Sequence, residues 1–278
     1  NGTTDAKGIY DGYEQLELLG RGLAKIRPTN YAQFGIWKDC GTDMRHNSNN
    51  WFDRSRITYN LPPSKGGSAK YFGQPVDPKY CTDTMRCYFS FPIVKVLVSK
   101  DDPNAGGNVP VGGFTDQYIF RLAETYLNRA EAYWWMGKNA QATEDVNAIR
   151  RRVNAPELTS VTLDDILDER ARELFIEDHR KSELTRIACL KAERGDEGYS
   201  MDNFSEKNWY YDRIMEKNNF FAEEYYYSTN AFIMKPYHVW WPIPRNAIES
   251  NTEGRINQNY GYDGYEDNIP VEELEKRY

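Results

Sequence analysis

The sequence predicts a mostly α-helical protein in which helical hairpins are set among long irregular loops. Three observations carry this reading. From Ile119, apolar positions at Leu122, Ala123, Tyr126, Leu127, Ala130 and Tyr133 recur on one face of a 3.6-residue helical period. Gly137 then supplies a left-handed helix end, and after a very short turn a second run, Ala142, Val146, Ile149 and Val153, continues to Pro156. By contrast, residues 1–115 are broken by Gly-, Pro- and Asn-rich clusters at 27–30, 61–67 and 101–113, which punctuate loops.

Taken in chain order, residues 11–23 read as one helix. Residues 91–98 (FPIVKVLV) read as a short strand or a buried run, which periodicity alone does not separate. At residue 116 the character changes. This divides the chain into a loop-rich region, 1–115, and a helical scaffold with a carboxy-terminal packing segment, 116–278, within one structural domain. After the hairpin comes a longer helix. Thr162 is its N-cap and Asp165, three residues on, completes a variant capping box. Leu163, Ile166, Leu167, Ala171, Leu174 and Phe175 face inward, with Glu169, Arg170, Arg172, Glu173, Glu177, Arg180 and Lys181 over the rest. Residues 195–235 read as irregular and aromatic-rich, 239–262 as an extended packing segment, and 266–278 as an acidic tail with room for a short terminal helix.

Composition narrows the functional classes. The 278 residues fit one large domain or two modest ones. Lys and Arg total 35 against 42 for Asp and Glu, a net charge of −7, which disfavours nucleic acid as a partner. No apolar stretch approaches the length of a membrane-spanning helix. Four cysteines without a CxxC, and three histidines, give no zinc pattern. Leu122, Tyr126, Ala130, Gly137 and Ala142 have the spacing of a tetratricopeptide (TPR) hairpin. Such hairpins are stable as arrays of roughly three or more. With one clear pair visible, either the further helices, an amino-terminal TPR part, are missing from this chain or residues 1–115 cover the open face.

Four segments, Phe120–Ala132 (FRLAETYLNRAEA), Asp145–Arg152 (DVNAIRRR), Glu169–Arg186 (ERARELFIEDHRKSELTR) and Trp241–Tyr262 (WPIPRNAIESNTEGRINQNYGY), occur in this order. Together they resemble the carboxy-terminal half of the SusD/RagB family. Cys40–Arg45 (CGTDMR) and Pro92–Lys95 (PIVK) extend the resemblance more weakly upstream. It implies a place within a larger α-helical SusD-like fold. It also implies a non-catalytic, cofactor-free outer-membrane lipoprotein at the cell surface of Bacteroidetes. The implied partners are a glycan and a SusC-like TonB-dependent transporter, with membrane attachment only through a lipid anchor on the missing amino-terminal part. One departure is Glu183-Leu184-Thr185-Arg186, where the family pattern has Asp-Leu-x-Arg.

Sugar recognition needs flat apolar rings for the pyranose face and planar polar groups for the hydroxyls. The densest such stretch outside helices runs from Trp37 to Tyr59, where the resemblance places part of the glycan platform. Trp51, Trp37, Asn50, Asp43, Arg45 and Tyr59 are the ligand-binding candidates. For Trp51 both stacking on a ligand and packing in a core stand open. The aromatic run from Trp209 to Tyr227 reads as a partner face or as plain packing. Glu124, Arg129, Glu131, Glu173, Glu177 and Arg180 read as scaffold ion pairs, and Trp240, Trp241, Pro242 and Pro244 as packing. Glu177-Asp178-His179-Arg180 lacks the HExxH spacing, and no GxSxG, Walker or Rossmann motif occurs, so no catalytic residue is assigned. Asp101, Asp102 and Asn104 read as an ordinary turn rather than a calcium loop, and no metal is assigned. The function expected is non-catalytic capture of an oligosaccharide or polysaccharide. A peptide-binding member of the same family, a TPR-type interaction module and a glycoside hydrolase are the rivals.

Overall fold

A computed structural model describes residues 29–51, 59, 62–74, 95, 118–218, 224, 225, 228–231 and 233–275. The expectations for residues 11–23, for 91–98 apart from Lys95 and for the 101–104 turn lie outside these residues. The described part is mostly helical, as the sequence predicts. The chain groups into two compact units, residues 1–178 with 223–231, and residues 179–222 with 232–278. The compositional change at 115/116 falls inside the first.

In the first unit, α1 (Asn30–Gln33) leads into short 3-10 turns at Gly35–Trp37 and Met44–His46. The predicted hairpin follows as α2 (Leu122–Trp135) and α3 (Asn139–Arg152). Gly137, at φ 71°, takes the left-handed conformation that lets the chain reverse in so few residues. Arg129 clamps Asp145 across the pair through two hydrogen bonds of 2.7 and 2.8 Å. Ala130, Ala142 and Val146 pack with Val161 and Ile166, while Leu127 and Ile149 pack with Leu174. Small residues at the crossing let the two helices approach closely. The next helix, α4 (Leu163–Glu173), lies on this hairpin. Its capping box is formed: Asp165 N donates to Thr162 Oγ1 at 3.2 Å, and Thr162 N donates to Asp165 Oδ2 at 2.8 Å. A two-stranded antiparallel ribbon, β1 (Glu224–Tyr225) and β2 (Ser228–Ala231), completes the described part of this unit.

The long third helix expected from the sequence is two helices. α4 ends at Glu173, and α5 (Arg180–Arg194) starts seven residues later. Ile176 sits between them at φ 67°, a region a β-branched residue rarely enters. The break contains neither Gly nor Pro.

In the second unit, α5 is followed by α6 (Trp209–Lys217), a helix within the stretch expected to be irregular. Asn208 explains it. Its Oδ1 accepts from Tyr211 N at 2.8 Å as an N-cap, and its Nδ2 donates to Phe204 O and Pro236 O, so a fully buried amide joins the helix start to the Pro236–Val239 turn. Ile187, Ala188, Leu184, Phe204, Trp209, Tyr210 and Val239 are buried. Two short helices, α7 (Arg245–Ser250) and α8 (Val271–Glu275), lie in the carboxy-terminal segment.

Candidate binding site

The six candidates from the sequence are all described, and the structure places them near one another in part. Asp43, Arg45, Trp37, Asn50 and Trp51 lie along the loops after α1, and Tyr59 lies further on in the first unit. Trp37 and Trp51 are 8% and 7% exposed and share a core cluster with Ile36 and Cys40. Trp37 stacks on His46 at 4.7 Å between centroids and meets Trp51 edge-on at 5.4 Å, and Trp51 meets Phe175 at 6.1 Å. Trp37 Nε1 donates to Ala32 O at 3.1 Å. For Trp51 these contacts are those of the packing alternative left open by the sequence, and both rings are largely buried among other side chains. Tyr59 is likewise buried, bridges to Phe72 and packs on Tyr71 at 5.4 Å. Asn50 is exposed, and its Nδ2 donates to Met44 O at 2.7 Å.

Asp43 and Arg45 belong to a buried ionic network built around α4. Arg45 Nη2 lies 2.6 Å from Asp43 Oδ2 and 2.8 Å from Glu169 Oε1, and its Nη1 donates to Glu173 Oε2 at 2.8 Å. Glu169 Oε2 accepts from Arg150 at 3.0 Å and from Arg172 Nη2 at 2.8 Å. Among the described residues its Oε1 makes no aligned hydrogen bond, and Arg45 Nη2 lies 2.8 Å from it. Glu173 also takes Arg121 and, at 2.7 and 2.8 Å, Arg152. Glu177, beyond the break, meets Arg121 and Lys95 at 2.5 Å each. The charges expected to coat an exposed face of α4 are therefore interior: Glu169, Arg170, Arg172 and Glu173 are all buried.

Burial works against the charge of Glu169, yet Arg172, Arg45 and Arg150 hold its carboxyl below the usual range. Burial likewise opposes ionised Glu177, and the hydrogen bonds from Arg121 and Lys95 outweigh it in the same direction. For Arg45, burial is outweighed by the Asp43 hydrogen bond and the Glu169 charge, which push its pKa up. These ion pairs brace the loop after α1 and the end of α3 against α4.

Open aromatic and polar surface is found in the second unit, where sequence reasoning expected packing. Trp240 packs on Phe204 at 5.2 Å, but the adjacent Trp241 is 66% exposed. Lys181, which donates to His238 O and to Val239 O, places its ammonium 4.7 Å from the Trp241 ring and 4.8 Å from the Tyr210 ring. Residues 245–268 wall a cavity of 640 Å³. The described part of the Trp209–Tyr227 run is mainly α6, whose Trp209 and Tyr210 are buried.

A helical hairpin of TPR spacing, a capped third helix threaded by arginines and a proline-rich carboxy-terminal segment define a mostly helical fold of paired helices. The SusD family model matches residues 23–262, and the chain belongs to the SusD family. It is similar to a protein named starch-binding protein SusD from Bacteroides thetaiotaomicron, with 37% identity over 149 residues. The matched stretch is 53% of this chain and 22% of that relative's length.

Proposed function

We propose that the protein binds an oligosaccharide or polysaccharide without cleaving it. It presents the ligand at the cell surface for uptake through a SusC-like TonB-dependent transporter. The observation that carries this reading is the family match across residues 23–262. The starch-binding relative makes α-glucans the first ligands to try. The electrostatics favour binding over catalysis. Among the described residues, the wholly buried Glu169 is held below the usual carboxylate range by arginines, whereas a general acid in glycoside hydrolysis needs its pKa raised. Attachment to the outer membrane through a lipid belongs to the same reading. Among the described residues no helix is long and apolar enough to cross a membrane.

A glycan array probed with the full chain, beside a peptide library, tests this reading. Selective retention of a related set of glycans is expected. Retention of peptides with no glycan bound would replace the glycan by a peptide ligand.

A further inference from the structure

We propose that the cavity walled by residues 245–268, together with the neighbouring Trp241 ring, is a subsite for a neutral saccharide. This rests on the saccharide-binding reading above and gives it a location.

The frame of the cavity is held by amides. Gln258 accepts from Ile243 N at 2.8 Å and donates to Ile243 O at 3.0 Å. Asn257 and Asn268 make matching backbone bonds to Ile269 and to Gln258. Each side chain closes a loop much as a strand partner would, so the wall is set before any ligand arrives.

The rim differs from the frame. Among the described residues, the side chains of Glu253, Arg255, Asp263 and Asp267 make no hydrogen bond or ion pair within the protein, and all four line the cavity. Carboxylates accept from vicinal hydroxyls and a guanidinium donates to them, which is the donor and acceptor mix that a sugar requires. Arg245 and Glu249, also on the lining, are paired with each other at 2.6 Å.

Trp241 supplies the apolar part. Its carbonyl accepts from Asn259 Nδ2 at 2.7 Å, and Asn259 is the chain neighbour of Gln258, which lines the cavity. Lys181 lies against the ring, and the residue remains two-thirds exposed, which leaves ring surface for the C–H face of a pyranose. The volume of 640 Å³ suits a short oligosaccharide segment.

Charge selects among sugars. Four carboxylates against two arginines make the lining net negative. Uronate or sulfated glycans therefore meet repulsion, and neutral ones do not.

The test uses hydrogen-exchange mass spectrometry and titration calorimetry on the full chain. The probes are soluble neutral oligosaccharides of glucose, mannose, galactose and xylose, with oligogalacturonide as the acidic probe. The variants are Trp241→Ala and the double variant Asp263→Asn with Asp267→Asn. All three positions are exposed, and circular dichroism checks that the fold is kept. The expected result is exchange protection across 241–268 by a neutral oligosaccharide. Binding should weaken at least 10-fold in each variant, and oligogalacturonide should bind at least 10-fold more weakly than the neutral ligand. If a neutral oligosaccharide binds but both variants stay within 2-fold and 241–268 is unprotected, the subsite is wrong while the saccharide-binding reading stands. If no saccharide binds, both fall.

Discussion

Arg45 Nη1 donates to Glu173 Oε2 at 2.8 Å across 128 positions of chain, tying the loop after α1 to the last turn of α4. Glu173 is the shared acceptor for three arginines, and its carboxylate is almost wholly buried. Removing one partner of a buried ionic group leaves the others uncompensated. Glu173→Ala should therefore cost roughly 3–5 kcal/mol of stability in urea unfolding. A loss under 1 kcal/mol would mean that the network is solvated in solution.

The strained turn at Ile176 makes a prediction of the opposite sign. A non-glycine residue held in the left-handed region costs on the order of 1–3 kcal/mol, and glycine returns roughly 0.5–1 kcal/mol of that as extra chain entropy. Ile176 is 59% exposed, so its side chain has little packing to lose. Ile176→Gly should stabilise the protein by about 1 kcal/mol, while Ile176→Val, equally strained, should leave it unchanged. Destabilisation by glycine would show that the isoleucine is covered in solution.

Trp51 separates packing from ligand contact. Its ring sits among Trp37, His46 and Phe175. Trp51→Ala should lower stability by roughly 3–5 kcal/mol through the cavity it leaves. The folded fraction should bind saccharide with the wild-type Kd. A stable variant that has lost affinity would restore Trp51 to the binding face.

Acid should weaken the fold through the same network. Glu169 and Glu177 have folded pKa values below their unfolded ones. Their contribution is present above the unfolded value, about 4.3, and is lost as pH falls through the depressed folded values. The thermal midpoint should hold between pH 7 and 5 and fall steeply below about pH 4. Glu177→Gln should flatten that fall. An unchanged midpoint at pH 3 would contradict the network's role.

The helical hairpin was legible because its signals are local: a 3.6-residue apolar period, a glycine at the turn and a Thr–Asp capping box. The break at Ile176 was not, because it contains no helix breaker. Tertiary pairing of Glu177 with Arg121 and Lys95 accompanies the turn against local propensity. The buried ions looked like a solvated face because their partners, Arg45, Arg121 and Arg152, lie far from α4 in sequence. Helix α6 was hidden by its aromatic composition, although Asn208 ahead of Trp209 is an N-cap signal. For the candidate site, the sequence located an aromatic and polar cluster at 37–59 but could not distinguish rings stacked on one another from rings open to a sugar. Trp241 posed the reverse problem: prolines on its carboxy-terminal side suggested packing, and only its exposure shows otherwise.

Reversible binding of an intact glycan is the central claim. Titration of the full chain with malto-oligosaccharides and the neutral panel, followed by chromatography of the recovered sugar, tests it most directly. The account predicts saturable heat from at least one neutral oligosaccharide, with the ligand recovered at its original length after prolonged incubation. Shortened products that disappear on replacing a single carboxylate, or no saturable binding to any saccharide, would contradict it.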